Sequence, residues 1–118
     1  MIIGKIVINS SADKSLFHIR KAETFFERGR GLLGCKGLKE GHGMLICPCN
    51  SIHTFFMKMP IDVIFLNKDN EIQTIRRNMK PQRFVRSGDA SSVLELMAGQ
   101  ADLSGLLNGD TLVWEALQ

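Results

Sequence analysis

At 118 residues the chain is long enough for one hydrophobic core and too short for two ordinary domains, which usually need roughly 100 to 150 residues each. Hydrophobic residues make up 44% of it and charged residues 23%, so it can bury enough apolar surface to offset the entropy lost on folding. Its net charge of +3 is too small to indicate a nucleic-acid or membrane partner. We therefore expect one ordered domain, residues 1–118, with neither of those partners.

The N-terminal segment MIIGKIVINS is interrupted by Gly4 and Lys5, so it lacks the long apolar run and the cleavage site of an export signal. No stretch approaches the roughly 18 apolar residues of a membrane span. The three cysteines, an odd number, argue against a disulfide framework and for reduced thiols. These features together predict a soluble cytoplasmic protein.

The first part of the chain predicts two strands and a helix. Ile2–Ile8 and Leu16–Arg20 are typical of strands, and the turn-rich segment between them predicts a hairpin. Apolar residues then recur at the i, i+3, i+4 and i+7 spacing of one helical face, which predicts an amphipathic helix over 22–34. The polar, glycine-rich segment 36–43 is expected to be a connection.

The second part predicts further short strands. Ile61–Leu66, with the sequence IDVIFL, is an almost unbroken apolar run, as expected of a strand covered on both faces. Asn78–Gly88 carries a proline and several basic residues and is predicted to be an irregular loop. The other predicted elements are strands at Met44–Ile46, Ser51–Met57, Glu71–Arg77, Val93–Met97 and Thr111–Leu117, and a short helix at Gly99–Leu106.

Many short strands with two helices indicate an α+β fold that is mainly β. We predict a small, partly closed, antiparallel or mixed β-barrel-like domain carrying the helices at about 22–34 and 99–106.

Soft or borderline metal ligands are concentrated within nineteen positions, at Cys35, His42, Cys47, Cys49 and His53. In an extended segment Cys47, Cys49 and His53 would face one way, and zinc prefers thiolate and imidazole ligands. The spacing C-x-C-x3-H nevertheless lacks the second ligand pair of a well-defined zinc site, and the proline between the cysteines is expected to turn the chain. Reduced cysteines and a hydrogen-bonded histidine are therefore favoured, with no cofactor; zinc is the alternative.

A thiol enzyme is a related possibility, with Cys49 as nucleophile and His53 as base, oriented by Asp62 or Glu95. The residue types are present. Neither a nucleophile elbow nor a papain-like cysteine signature accompanies them, so packing is the favoured interpretation.

Two acidic residues, Asp62 and Glu95, interrupt otherwise apolar strands. A carboxylate in such a place must point outward, pair with a cation or belong to a site. Arg30, Lys58 and Arg28 are candidate partners, and Glu95 is expected to be the more buried of the two acids because both its same-face neighbours are apolar.

Five positive charges fall within eleven positions around one aromatic ring, at Arg76, Arg77, Lys80, Arg83 and Arg86 with Phe84 among them. Readers of single-stranded nucleic acid combine cations with stacking rings, so this segment could bind phosphate or RNA. A solvated basic loop is the favoured interpretation, and no nucleic-acid partner is expected.

The chain resembles the uncharacterised prokaryotic domain-of-unknown-function family 192. The resemblance spans residues 22 to 115 and rests on blocks in the expected order: RGLL at 30–33, GMLI at 43–46, HTFFMK at 53–58 running into IDVIFL at 61–66, and VLEL at 93–96 with Ala98-Gly99 and Gly109-Asp110. It implies a compact, β-rich domain with short helices and implies no activity.

Three departures from the family pattern matter. Many relatives carry Trp-Met-Lys-Asn-Thr where this chain has FMKMP at 56–60, so no role of that Asn or Thr is carried over. Many relatives also bear an exported leader that this chain lacks, which implies a cytoplasmic variant. The segment from Pro48 to His53 resembles one subgroup only.

The leading hypothesis is a binding or accessory module rather than an enzyme, acting on an unknown small molecule or protein. Its site is predicted to contain Arg30, His53, Lys58, Asp62 and Glu95, because polar residues recur there inside apolar blocks. The alternative is a zinc- or thiol-dependent enzyme built on Cys47, Cys49 and His53.

Overall fold

The structure is a computed structural model that describes residues 2–22, 24, 40–54 and 57–117. The elements found in these residues are β1 (Ile2–Ile8), β2 (Ser11–Ala22), β3 (Gly43–Ile46), β4 (Ser51–His53), β5 (Ile61–Leu66), β6 (Ile72–Met79), β7 (Phe84–Arg86), β8 (Ser92–Met97), α1 (Gln100–Leu103) and β9 (Leu112–Ala116).

Two sheets contain these strands. The larger has seven strands in the order β6-β5-β8-β3-β2-β1-β9, and β4 and β7 form the smaller one. Neighbouring strands are antiparallel except β2 and β3, which run parallel, so the large sheet is mixed. The predicted hairpin of the first two strands is present, and the prediction of a mainly β fold is confirmed.

The large sheet curls until its two edge strands meet at one end. Glu71 and Thr111 form a β-bridge there, and the Ile72 N–H donates to the Asp110 carbonyl at 2.8 Å. The Leu112 N–H donates to the Asn70 carbonyl at 2.8 Å. Among the described residues, the edge strands β6 and β9 do not pair beyond this bridge and its flanking hydrogen bonds. The sheet is therefore barrel-like without being a closed barrel.

Strand β5 lies in the middle of the core and divides it in two. Its six residues are all buried. Ile64 and Leu66 belong to a cluster that includes Ala101 of α1 and Leu106 just after it, which we call the helix-side cluster. Ile61, Val63 and Phe65 belong to a cluster that includes Ile52 of β4 and Val85 of β7, which we call the small-sheet cluster. Both faces of the strand are thus covered, as its apolar run predicts.

The second strand is longer than predicted and contains Ala22, which the sequence pattern assigns to a helix. Ala22 is fully buried and pairs with Ile46 in the parallel β2–β3 ladder. Tertiary pairing therefore overrides the local helical spacing at this residue. The rest of the predicted helix over 22–34 lies outside the described residues, apart from residue 24.

Two predictions around β4 and β7 are wrong. The strand predicted at Ser51–Met57 ends at His53, because the chain turns at Thr54, whose carbonyl accepts the Met57 N–H at 3.1 Å. The loop predicted at Asn78–Gly88 contains β7, which pairs with β4. Three residues are too few for a periodic pattern, so only the partner strand reveals β7.

The helix predicted at Gly99–Leu106 is shorter than expected, since only Gln100–Leu103 are helical. Other strand boundaries shift by one or two residues, which is normal at strand and helix ends. In the described ranges, no helix has the length and apolar character needed to cross a membrane.

Candidate functional site

The two acidic residues predicted to share a site lie on opposite faces of the large sheet. Asp62 pairs with Leu96, and Glu95 pairs with Val63, in the β5–β8 ladder. Paired residues share a face and successive residues alternate, so Asp62 faces the helix-side cluster and Glu95 faces the small-sheet cluster. Both are buried, at 1% and 3% exposure. The structure therefore does not bring these two carboxylates to one concavity.

The side chain of Asp62 connects β5 to β6 and to the turn that begins α1. Its Oδ1 accepts the Asn78 N–H at 2.9 Å, and its Oδ2 accepts the N–H groups of Gly99 at 3.1 Å and Ala101 at 2.9 Å. Hydrogen bonds to an ionised acceptor are the stronger ones in proteins. The sequence indicated a cation partner or a site, whereas the carboxylate is held by backbone donors of β6 and of the α1 turn.

The bond from Asn78 lies at a bulge in β6. The register passes from Ile61 opposite Met79 to Val63 opposite Arg76, so two residues of β6 oppose Asp62. Such a bulge changes the alternation of side chains. Arg76 is the regular Cα partner of Val63 and shares its face, toward the small sheet, and the bulge lets Met79, the partner of Ile61, share that face as well. Arg77 lies on the other face, where its Nε bonds Asp102 Oδ1 at 2.9 Å.

Thr54 fixes the loop between β6 and β7. It is fully buried, and its Oγ1 accepts the Arg83 N–H at 2.8 Å and donates to the Lys80 carbonyl at 2.7 Å. Its own carbonyl accepts the Gln82 N–H at 3.0 Å. Sequence reasoning missed this residue, because a lone threonine beside a strand carries no distinguishing signal.

These two anchors border a groove that we call the basic groove. Its volume is about 550 Å³. The described residues that line it include Arg76, Arg77, Lys80 and Arg83 and no carboxylate. Arg77 is paired with Asp102, which leaves the other three cations to set the charge of the groove. The full lining is Ile75, Arg76, Arg77, Asn78, Met79, Lys80, Arg83, Phe84 and Val85.

One wall of the basic groove carries an exposed aromatic ring. Phe84 is 64% exposed, whereas its neighbour Val85 is 8% exposed and packs in the small-sheet cluster. His53 is the Cα partner of Phe84 across the β4–β7 ladder and is exposed on the same outward face. The groove therefore combines cations, one exposed ring and a neighbouring imidazole.

The predicted site residues are thus distributed over the molecule. His53 stands beside the basic groove, Lys58 is exposed, and Asp62 and Glu95 occupy opposite faces of the sheet. Arg30 lies outside the described residues. A role for His53, Lys58 or Glu95 in binding stays a prediction.

The cysteine and histidine cluster is not assembled as one extended face. Cys47 and Cys49 are half-buried, and the Cys49 thiol donates to the Ser51 carbonyl at 3.0 Å. His53 is exposed on the outer face of β4. Within residues 2–22, 24, 40–54 and 57–117, no group of three His, Cys, Asp or Glu side chains is arranged to hold a metal. Cys35 lies outside those ranges. The zinc and thiol-enzyme alternatives stay predictions, which elemental analysis and thiol labelling would test.

A second pocket, of about 580 Å³, lies between β2 and α1. The rings of His18 and His42 stack there with centroids 4.5 Å apart. Buried Gln100 accepts the Gly41 N–H at 2.6 Å on Oε1 and donates from Nε2 to Ser104 at 2.7 Å. We call this the histidine pocket. Its lining contains both Lys14 and Glu40, so its charge does not select one class of ligand.

Comparison with known proteins gives a family without an assigned activity. The model of domain-of-unknown-function family 192, described as "Uncharacterized ACR", matches residues 6–114. A UPF0127 protein of Thermococcus sibiricus is 36% identical over 103 residues, which cover 82% of this chain and 66% of that protein. A UPF0127 protein of Thermococcus kodakarensis is 27% identical over 117 residues, 92% of this chain and 73% of that one. The match thus spans about two thirds of the first relative.

Two crystal structures share the fold. One is a protein of unknown function from Novosphingobium aromaticivorans, and the other is a Sinorhizobium meliloti protein proposed to be a transcription regulator. Each has a TM-score of 0.83 and 24% identity over 95% of this chain, covering 85% and 93% of the respective neighbours. At this identity the likeness concerns the fold alone.

Proposed function

Since this chain belongs to the uncharacterised domain-of-unknown-function family 192, which implies no activity, we propose from its own residues that it is a binding module for a small anionic ligand. The observation that carries this proposal is the basic groove. Arg76, Lys80 and Arg83 line it without a lining carboxylate in the described part of the chain.

The charges of the groove favour an anion for a simple electrostatic reason. Like charges placed around one concavity repel each other. A bound anion reduces that repulsion and is itself attracted by the surrounding cations. Guanidinium groups also present paired N–H donors that fit carboxylate and phosphate oxygens. The ion pair of Arg77 with Asp102 removes one cation from this set, so the three remaining ones provide the site.

The backbone of the groove is held in place before any ligand arrives. Thr54 bonds the backbone of both Lys80 and Arg83, and Asp62 bonds the bulge of β6 at Asn78, which also lines the groove. Positions fixed in advance lose less conformational entropy on binding than a flexible loop would. The two anchors therefore support a binding role over that of a solvated loop.

The proposed setting is the cytoplasm. Three cysteines without a predicted disulfide framework support a reducing compartment, where small phosphorylated and carboxylated metabolites are plentiful. The same charges would also fit a protein partner with an acidic segment, which is the alternative to a small anionic ligand.

The test is a titration of the purified chain with inorganic phosphate and pyrophosphate at low ionic strength, followed by calorimetry and by amide chemical shifts. We expect saturable binding, with the largest shifts at residues 76–85. Replacing Arg76, Lys80 or Arg83 singly by glutamine should weaken binding about 1.5- to 5-fold each, as exposed charge contacts do.

Lys14→Gln is the matched control, because Lys14 is an exposed cation on the histidine pocket. It should leave the affinity unchanged, and all variants should keep the thermal stability of the parent. Equal losses in Lys14→Gln, or shifts centred away from residues 76–85, would contradict the proposal.

A further inference from the structure

We infer that the ligand of the basic groove is a nucleoside phosphate, whose base stacks on Phe84 while its phosphate is held by Arg76, Lys80 and Arg83. This inference rests on the proposed anion-binding function and adds the ring-bearing half of the ligand. It commits to a single nucleotide rather than to a nucleic-acid chain.

The first support is the position of the Phe84 ring. A single exposed apolar residue is ordinary on a protein surface and by itself indicates nothing. Phe84, however, is 64% exposed on the wall of a groove whose most polar lining residues are cations. A base has an apolar face that covers such a ring and leaves its phosphate among the cations. A simple inorganic anion would leave the ring in water.

The second support is the rigidity of the platform. Phe84 lies in β7, where its Cα is paired with that of His53 in β4. The residue before it, Arg83, is held through its N–H by Thr54 at 2.8 Å. The residue after it, Val85, is buried in the small-sheet cluster. Strand pairing, the Thr54 hydrogen bond and the packing of Val85 therefore hold the backbone that carries the ring.

The third support is the neighbour across the ladder. His53 and Phe84 occupy paired positions and are both exposed on the outward face. Directly paired side chains on one face of an antiparallel ladder lie within reach of each other. An imidazole beside the ring places a second flat side chain at the edge of the surface on which a base would lie.

The extent of the groove favours a single nucleotide. Its volume of about 550 Å³ falls within the range of roughly 300 to 1,000 Å³ usual for small-molecule sites. Three cations converge in one groove, and Arg86 is the next cation along the outward face of β7. A nucleic-acid chain needs a longer track of cations with several stacking rings. The net charge of +3 agrees with the shorter ligand.

The test compares adenosine 5′-monophosphate with ribose 5-phosphate by calorimetry, since the two share the phosphate and sugar and differ in the base. Stacking on an aromatic side chain predicts that the nucleotide binds about 5- to 100-fold more tightly. Phe84→Leu keeps an apolar side chain and removes the ring. It should lower the affinity for the nucleotide to that for ribose 5-phosphate and leave the latter unchanged.

Phe17→Leu is the matched control, because Phe17 is 51% exposed on the histidine pocket. It should change neither affinity. Equal binding of the two ligands by the parent chain would overturn the inference while leaving the anion-binding function intact. Binding of neither ligand would instead remove the proposed function itself.

Two further results would overturn the inference. The first is a Phe84→Leu variant that loses affinity equally for both ligands, because the ring would then support the structure of the groove and would not stack on a base. The second is a single-stranded tetranucleotide that binds more than tenfold tighter than the mononucleotide, because the ligand would then be a chain.

Discussion

Replacing Asp62 should destabilise the protein strongly, although this residue touches no ligand in our proposal. Its carboxylate accepts three backbone N–H groups, from Asn78, Gly99 and Ala101. Asp62→Asn keeps the volume but turns one of the two acceptor oxygens into a donor. At least one N–H group then faces an NH₂ group, and the remaining bonds lose their charge assistance.

The magnitude follows from these bonds. A hydrogen bond to a charged group contributes about 1.5–3 kcal/mol and one between neutral groups about 0.5–1.5 kcal/mol. Losing one charged bond and weakening the others gives about 2–4 kcal/mol for Asp62→Asn. Asp62→Ala loses all of them and should cost about 3–5 kcal/mol, since water can replace the carboxylate only for the exposed Asn78 and Gly99 and not for buried Ala101.

The assays are urea and thermal unfolding, together with hydrogen exchange of the amides of Asn78, Gly99 and Ala101. At roughly 4 °C per kcal/mol for a domain of this size, Asp62→Asn should lower Tm by about 10 °C. Exchange should accelerate at those amides before it does in β1. The control is Asp69→Asn, an exposed aspartate in the turn after β5, which should change stability by less than about 0.5 kcal/mol.

Near-parental stability of Asp62→Asn would refute this reasoning, and so would unchanged exchange at the three amides. The same variant also tests the link between the bulge and the groove. If the bond from the Asn78 N–H to Asp62 holds the bulge that lines the groove, folded Asp62→Asn should bind phosphate more weakly than the parent.

Three other predictions concern packing and charge. Gly43→Ala should cost about 3 kcal/mol in urea unfolding, because a Cβ there would overlap the Glu95 carbonyl and the Leu96 side chain, whereas Gly88→Ala meets open space and should be close to neutral. Thr54→Val should cost about 2–3 kcal/mol and also weaken phosphate binding, because the loop that carries two of the cations loses its hydroxyl anchor; full stability with intact binding would contradict this. A double-mutant cycle on Arg77 and Asp102 should give a coupling energy below about 1 kcal/mol that disappears in 1 M salt, since both side chains are largely exposed. A larger, salt-resistant coupling would contradict it.

Much of the architecture follows from local patterns. The alternation and turn residues of the N-terminal segment indicate the β1–β2 hairpin, and the run IDVIFL indicates a strand covered on both faces. The spacing of apolar residues is a property of the sequence itself, so these strands can be recognised before any partner strand is known.

The candidate site depends instead on contacts between distant segments. The sequence predicts that Asp62 and Glu95 lie in apolar strands, but the ladder between β5 and β8 decides that they face opposite sides. The segment 78–88 is basic and irregular in sequence, and pairing with β4 makes part of it a strand.

The physical reason is register. A shift of one residue sends a side chain to the other face, and one bulge in β6 places Arg76 and Met79, three positions apart, on the same face of the sheet. Local composition does not encode where such a bulge falls, because it is held by a carboxylate on the neighbouring strand. The sequence by itself therefore determined the charges and most of the strands of this protein, and the tertiary structure alone decided which of those charges meet.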